Sequence, residues 1–87
     1  MSEVEKVRFY GRTFNADEGY EAKYVSIKLI GPPDYFVGSN DKGNFTIDVP
    51  PGNYTISVRN VLYRPVTENI GIFQDTYKDI PLQRAVV

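Results

Sequence analysis

Residues 44–59 read NFTIDVPPGNYTISVR, and this stretch contains two runs of alternating apolar and polar side chains. Such alternation is typical of β-strands that bury one face. The inward positions are Phe45, Ile47 and Val49 in the first run, and Tyr54, Ile56 and Val58 in the second. Pro50-Pro51-Gly52 joins the runs. Because proline cannot donate to a ladder and glycine allows positive φ, we predict a tight antiparallel hairpin.

Shorter alternating runs predict further strands on both sides of this stretch. Upstream, Val7 and Phe9 alternate with polar side chains, and Gly11 continues their inward positions, which indicates a bulge or a close backbone approach. A second strand is predicted from about Tyr24 to Ile30, and a short third strand at Tyr35-Phe36-Val37. Three strands are therefore predicted before the central stretch.

The second half adds late strands and no helix. Ile70 and Ile72 occupy alternate positions, and Ile80 and Leu82 flank Pro81. Because Pro81 lacks a backbone N–H, its strand is predicted to lie at the edge of a sheet. No window shows sustained helical spacing of apolar residues. About seven short strands with turn signals between them predict an all-β fold, a seven-stranded antiparallel β-sandwich.

The composition excludes several classes of protein. The length of 87 residues predicts a single domain that spans residues 1–87, with its core at about residues 7–83. The chain has no cysteine and no histidine, so disulfides, thiolate sites and imidazole sites are excluded, and no cofactor is predicted. A net charge of −1 without a basic run gives no support to nucleic-acid binding.

No targeting or membrane segment is predicted. No apolar stretch approaches the ~20 residues that a membrane helix needs, so we expect no membrane insertion. Residues 1–6 are charged and lack an apolar run, so no signal peptide is predicted in this chain. The protein is then either cytoplasmic or a mature piece whose targeting segment is not included.

The central stretch resembles a known family. Residues 39–56, from Ser39 to Ile56, resemble the pattern T-D-x-x-G-x-F-x-L-x-V-P-P-G-x-Y-x-L of carboxypeptidase-regulatory-like, transthyretin-like domains. The flanks are similar to the family's G-x-V opening, A-x-V-x-L strand, G-Y-x-P turn and D-I-x-L close, at Gly11-Arg12-Thr13, Val25–Leu29, Tyr63-Arg64-Pro65 and Asp79–Leu82. The sequence departs from the pattern at Ser39-Asn40, which replaces Thr-Asp, and at Leu62, which replaces a glycine.

The resemblance implies a transthyretin-like sandwich, which is Ig-like or prealbumin-like in architecture. Members of this family fold beside enzymes, receptors or surface proteins and are not themselves catalytic. We therefore expect a non-catalytic accessory module for protein–protein interaction or structural assembly, in a cell envelope, in a virion or attached to a larger protein. The resemblance also implies an extracellular or surface location. It provides no active-site residues to transfer to this sequence.

Aromatic side chains near the loops are the predicted binding residues. Tyr54 is assigned to the core by its inward position, whereas Tyr10 and Tyr24 fall on outward positions. Aromatic side chains dominate interface energetics where they are desolvated. We predict that a protein partner or larger assembly contacts Tyr20, Tyr35, Phe36 and Tyr63, with Tyr63 the leading candidate. The alternative is that these rings sit half-buried at the rim of the core.

Two functions remain open from the sequence. The leading one is the interaction module, which should show an aromatic patch or an open sheet edge. The alternative is a carbohydrate-binding module with a glycan ligand, which should show parallel exposed rings beside polar groups. An enzyme is not predicted, because neither a histidine nor a cysteine is available, and the adjacent carboxylates Asp17 and Glu18 are expected to be solvated.

Two local motifs have ordinary structural explanations. Calcium needs about six to eight oxygen ligands, but the loop from Asn40 to Asn44 offers one carboxylate and includes a lysine. We therefore predict a turn with Asx hydrogen bonds and no metal site. Asn44-Phe45-Thr46 and Asn53-Tyr54-Thr55 are glycosylation sequons, and they matter only in a protein secreted by a glycosylating cell.

Overall fold

Seven β-strands form the protein in a computed structural model that describes residues 5–31 and 33–85. The strands are β1 (Val7–Asn15), β2 (Ser26–Ile30), β3 (Tyr35–Gly38), β4 (Asn44–Val49), β5 (Gly52–Asn60), β6 (Tyr63–Ile72) and β7 (Thr76–Leu82). Among the described residues, no helix could cross a membrane. The predicted all-β class and strand number are confirmed.

The strands form two sheets that enclose one apolar core. The first sheet has the order β4-β1-β7, and the second has the order β3-β2-β5-β6. Alternate residues of the central strands are buried between the sheets, as the period-two pattern predicts. The largest fully buried side chains include Phe9, Ile27, Leu29, Ile56, Ile72 and Leu82. The chain is therefore a β-sandwich.

The predicted purely antiparallel pairing is wrong in the three-stranded sheet. β1 and β7 pair in parallel, with a register that runs from Phe9↔Thr76 to Asn15↔Leu82. Parallel neighbours need a long crossover connection, and the five strands between β1 and β7 provide it. Residue alternation defines which face of a strand is buried but not the direction of its neighbour, so the sequence pattern could not reveal this pair.

The predicted hairpin across Pro50-Pro51-Gly52 is also wrong. β4 belongs to the three-stranded sheet and β5 to the four-stranded sheet, so the two prolines carry the chain from one sheet to the other. The expected positive φ at Gly52 is wrong as well, because the glycines with positive φ are Gly19 and Gly43. Strands that face each other across a core show the same alternation as the partners of a hairpin.

The observed hairpin in this region joins β5 to β6. Its turn lies at Val61 and Leu62, and β6 begins at Tyr63, so Tyr63-Arg64-Pro65 is the start of the longest strand and not a turn. The sequence pattern predicted only the end of this strand, at Ile70 and Ile72. β6 is a sheet edge with polar residues on both faces, so most of it lacks a clear alternation.

Two predictions based on backbone chemistry are confirmed. β7 is an edge strand, as Pro81 requires. Gly11 is buried at a close approach between β1 and β7, because a Cβ atom there would overlap the backbone carbonyl oxygen of Lys78. This contact holds the two parallel strands at a separation that only glycine permits at this position.

Candidate interaction surface

The outer face of the three-stranded sheet carries an unusual row of side chains. On the central strand β1, the inward residues are buried, so the alternate residues face outward. We define the Tyr10 face by six of the outward side chains on this surface: Arg8, Tyr10, Arg12 and Phe14 of β1, Thr46 of β4 and Tyr77 of β7. Tyrosine and arginine are enriched among the residues that contribute most to protein interfaces.

Tyr10 and Tyr77 form the centre of this face. They are register partners on β1 and β7, and their ring centroids lie 5.4 Å apart at an interplanar angle of 74°. Tyr10 is 38% exposed and Tyr77 is 54% exposed, so both rings are available to solvent. Because each ring already packs against the other, a partner would immobilise them at little further entropic cost.

The charged groups on the Tyr10 face have local partners. The Arg12 guanidinium lies 5.3 Å from the Phe14 ring centroid, and Arg8 Nε lies 3.8 Å from Asp48 Oδ1. The pKa of Tyr77 is raised above the ordinary tyrosine value, mainly by a hydrogen bond with the Asp79 side chain and to a lesser extent by partial desolvation. The phenol is neutral at physiological pH, as an ordinary tyrosine is, and its oxygen can accept a hydrogen bond from a partner.

A groove of about 680 Å³ runs along this face beside Tyr10 and Tyr77. Its lining combines the two phenol rings with hydrogen-bonding groups, among them Arg8, Asn40, Asn44 and Thr46. The combination of aromatic surface with donors and acceptors at its rim is the usual anatomy of a recognition site. The Tyr10 face could therefore take up a side chain or a loop from another molecule.

The structure separates the four binding residues predicted from the sequence. Tyr20 and Tyr63 line a second groove of about 420 Å³ with Arg84, at one end of the sandwich. Tyr35 lies at the other end, where its ring centroid is 6.2 Å from that of Tyr54. Phe36 projects from the outer face of β3, with its ring centroid 5.6 Å from Lys28 Nζ. Only Tyr20 and Tyr63 are brought together, and a binding role for any of the four stays a prediction.

The groove between Tyr20 and Tyr63 is built from groups that already bind one another. The Tyr20 hydroxyl donates to Glu18 Oε1 at 2.9 Å, and Arg84 Nη1 lies 3.8 Å from the same oxygen. The hydrogen bond to Glu18 is the main cause that raises the pKa of Tyr20. The Tyr63 side chain is largely buried and belongs to the hydrophobic core. These contacts join Tyr20, Glu18 and Arg84 at this end of the sandwich.

The contrast between Tyr63 and Phe36 yields a stability prediction. Tyr63 is 9% exposed and belongs to the core cluster, whereas Phe36 is 68% exposed. We expect Tyr63→Ser to lower the free energy of unfolding by about 2 kcal/mol, the transfer value of a buried aromatic side chain. The matched change Phe36→Ser should alter it by less than about 0.5 kcal/mol, as surface changes usually do. Urea denaturation of both variants measures the difference, and equal effects would contradict the burial of Tyr63.

The loop from Asn40 to Asn44 forms the predicted Asx turn. Asn40 Oδ1 accepts hydrogen bonds from the backbone N–H groups of Lys42 at 2.9 Å and Asn44 at 3.0 Å. That oxygen is therefore committed to the turn. Within residues 5–31 and 33–85, no group of three acidic side chains could hold a metal ion. The sequon asparagines Asn44 and Asn53 are both exposed.

Tyr10 and Tyr77 are not among the four binding residues predicted from the sequence. The available signal was the outward row of the first strand, in which Arg8, Tyr10, Arg12 and Phe14 alternate without a gap. Tyr77 could not be added from the sequence, because its place beside Tyr10 depends on the parallel pairing of β1 with β7.

Comparisons with known proteins place the fold. No protein-family model and no curated protein matches the chain. A DUF3823 family protein from Bacteroides ovatus ATCC 8483 matches with a TM-score of 0.77 and 16% identity, over 92% of this chain and 45% of that one. A DUF3823 family protein from Parabacteroides merdae ATCC 43184 matches with a TM-score of 0.63 and 15% identity, over 94% of this chain and 47% of that one.

A third solved structure extends the comparison. The Bacillus anthracis TIE protein matches with a TM-score of 0.69 and 10% identity, over 91% of this chain and 16% of that one. The chain thus spans less than half the length of each of these proteins. At such low identity the likeness concerns the fold alone, and the chain is similar in fold to the β-sandwich of DUF3823 family proteins.

Proposed function

We propose that this chain is a non-catalytic β-sandwich module that binds a protein partner through the Tyr10 face. The observation that carries the proposal is the packed pair Tyr10 and Tyr77, held on two adjacent strands of one sheet and flanked by Arg8 and Arg12. Rigid aromatic anchors surrounded by arginine are the composition of interface hot spots. The module would act as part of a larger protein or of a surface assembly.

The resemblance to carboxypeptidase-regulatory-like, transthyretin-like domains supports an accessory role. It rests on the residues between Ser39 and Ile56, which form β4, the inter-sheet connection and the start of β5. The fold neighbours are longer proteins, of which this chain covers a part. Both observations favour a module that works beside other domains.

Carbohydrate binding is the second candidate. It is favoured by the amide and hydroxyl groups of Asn40, Asn44 and Thr46, which line the groove beside Tyr10. It is disfavoured by the ring geometry, because Tyr10 and Tyr77 meet edge to face and offer no flat platform to a sugar ring. A glycan array probed with the purified domain tests this candidate directly.

The test of the leading proposal is the double variant Tyr10→Ser with Tyr77→Ser. Extract from the source organism is passed over the immobilised wild-type domain, and a captured protein is identified, purified and titrated by calorimetry. We expect the double variant to weaken this binding at least roughly tenfold, because two central anchors are removed. Its melting temperature should stay close to that of the wild type, since both rings lie outside the core.

Phe73→Ser is the matched control, because Phe73 is 62% exposed and lies outside the Tyr10 face. It should leave the titrated affinity unchanged. Equal affinity of the double variant and the wild type would overturn the proposal. Binding only to the glycan array, with loss in the double variant, would replace it with the carbohydrate candidate.

A further inference from the structure

Three of the four sheet edges carry features that prevent further strand pairing. β3 is only four residues long. β6 and β7 contain Pro65 and Pro81, and they direct Glu68 and Lys78 toward each other across the sheets, with Lys78 Nζ 2.6 Å from Glu68 Oε2. Short strands, prolines and inward-pointing charges are the devices by which edge strands avoid pairing with other chains.

The fourth edge, at β4, has none of these features. β4 is six residues long, contains no proline, and has the inward residues Phe45, Ile47 and Val49. A hollow of about 410 Å³ lies along it, lined by Arg8, Thr46, Ile47 and Asp48. Ile47 is only partly buried although it points inward, so apolar surface is accessible at this edge.

The hydrogen bonds around β4 define which backbone groups are free. Thr13 N–H donates to the Gly43 carbonyl oxygen at 2.7 Å, so odd-numbered residues of this segment direct their backbone groups toward β1. Even-numbered residues therefore direct theirs toward the open edge. Because β4 pairs only with β1 among the described residues, the outward N–H and C=O groups of Thr46 and Asp48 have no strand partner.

At both ends of this segment, the outward backbone groups are already hydrogen-bonded or missing. Asn44 directs its groups outward, but its N–H donates to Asn40 Oδ1 at 3.0 Å and its carbonyl accepts from Asn40 N–H at 2.9 Å. At the other end Pro50 has no N–H, and its carbonyl accepts the Tyr54 hydroxyl at 2.6 Å. The free edge is thus confined to Thr46 and Asp48.

We propose that this edge pairs with the same edge of a second copy of the chain, antiparallel and centred on Ile47. In this register Thr46 lies opposite Asp48 of the other copy, and each such pair can exchange both of its N–H···O bonds. Asn44 then lies opposite Pro50 of the other copy, so that the two closed positions meet. The two copies would share one continuous sheet with β4 of each at the centre.

Neighbouring registers fit the same edge less well. Centring on Thr46 places Asp48 opposite Asn44 of the other copy, whose backbone groups are already bound to Asn40. Centring on Asp48 places two carboxylates opposite each other, which is unfavourable. The Ile47-centred register avoids both problems. It also covers the exposed part of each Ile47 side chain with Ile47 of the other copy. Its two-fold axis is perpendicular to the sheet, so both Tyr10 faces would lie on the same side.

Cysteine cross-linking tests the register. The chain contains no cysteine, so a single introduced thiol can form a disulfide only with the same cysteine of a second copy. In the proposed register the two Ile47 residues form a close, non-hydrogen-bonded pair, with Cα atoms about 4.5 Å apart, which suits a disulfide. We expect Ile47→Cys to give a disulfide-linked dimer on mild oxidation. Thr67→Cys on β6 is the control and should remain largely monomeric, and equal cross-linking of the two variants would overturn the proposal.

A backbone variant tests the hydrogen bonds without oxidation. Thr46→Pro removes an outward N–H and leaves the bonds to β1 in place, whereas Thr46→Val changes the side chain and keeps the N–H. In sedimentation equilibrium we expect a monomer–dimer equilibrium for the wild type and for Thr46→Val. Thr46→Pro should raise the dimer dissociation constant roughly tenfold or more, with an unchanged circular dichroism spectrum.

A wild-type protein that stays monomeric up to millimolar concentration would overturn this proposal, as would a dimer that Thr46→Pro leaves intact. Neither outcome bears on partner binding through the Tyr10 face, because both experiments report only the association of the domain with itself. Thr46 belongs to that face, but its anchors Tyr10 and Tyr77 are unchanged in these variants. Conversely, loss of partner binding in the Tyr10→Ser and Tyr77→Ser variant leaves the dimer test unaffected. The two proposals can therefore fail separately.

Discussion

Replacing Gly11 with alanine is expected to destabilise the protein by about 3 kcal/mol or more, at the upper end of what overpacking causes. The added Cβ would overlap the carbonyl oxygen of Lys78, which is backbone and cannot rotate away as a side chain can. Relief requires β1 and β7 to separate, and their pairing joins the first strand to the last. Thermal and urea denaturation measure the loss.

Gly52→Ala is the matched control for this substitution. The nearest atom to a Cβ at Gly52 is a Tyr54 ring carbon at 3.7 Å, an ordinary contact, and the backbone there does not adopt positive φ. We expect a change within about 0.5 kcal/mol, or a small gain from the reduced entropy of the unfolded chain. If Gly11→Ala melts like Gly52→Ala, the parallel register of β1 with β7 is wrong.

Gly11 also matters for the candidate site. Its partner in the register is Lys78, and the preceding pair is Tyr10 with Tyr77. The close approach of the two backbones at Gly11 therefore helps to set the distance between the two rings. A small inward residue thus supports the packing of the large outward ones.

The sequence predicted the buried faces of the strands well, because burial and alternation express the same physical preference. Val49, Ile56 and Val58 are predicted to face inward, and all three are buried. Gly11 and Pro81 were also interpreted correctly, since a missing Cβ and a missing N–H have direct structural consequences.

Strand pairing was not predictable in the same way. The alternation in β4 and β5 is the same whether they are hairpin partners or face each other across the core. The parallel pairing of β7 with β1 depends on how five intervening strands are arranged. For the same reason the Tyr10 face could not be predicted in full. Tyr77 is distant from Tyr10 in the sequence and becomes its neighbour only through that pairing.

Tyr54→Ala is expected to lower the free energy of unfolding by about 3–5 kcal/mol, the usual loss when a buried aromatic ring is removed. Tyr54 is 8% exposed, its ring packs edge to face against Tyr35, and its hydroxyl donates to the Pro50 carbonyl oxygen. It therefore ties β5 to the connection that carries the chain between the sheets. A melting temperature within a degree or two of the wild type would contradict its place in the core.

Tyr54→Phe separates the ring from the hydroxyl. We expect this variant to lose only about 1 kcal/mol of unfolding free energy at neutral pH, because the hydrogen bond to the Pro50 carbonyl oxygen is removed.

Burial, and to a lesser extent the neighbouring Tyr35, raises the pKa of Tyr54 above 10.0. The folded protein therefore holds this proton more tightly than the unfolded chain, so the stabilisation is complete below pH 10 and is lost as the pH rises through the higher folded-state pKa. Tyr20 and Tyr77 also have a raised pKa and remain in the variant. Urea denaturation between pH 8 and pH 12 should therefore show a shallower alkaline decline in Tyr54→Phe than in the wild type, and parallel declines would show that Tyr54 ionises as freely in the folded protein as in the unfolded chain.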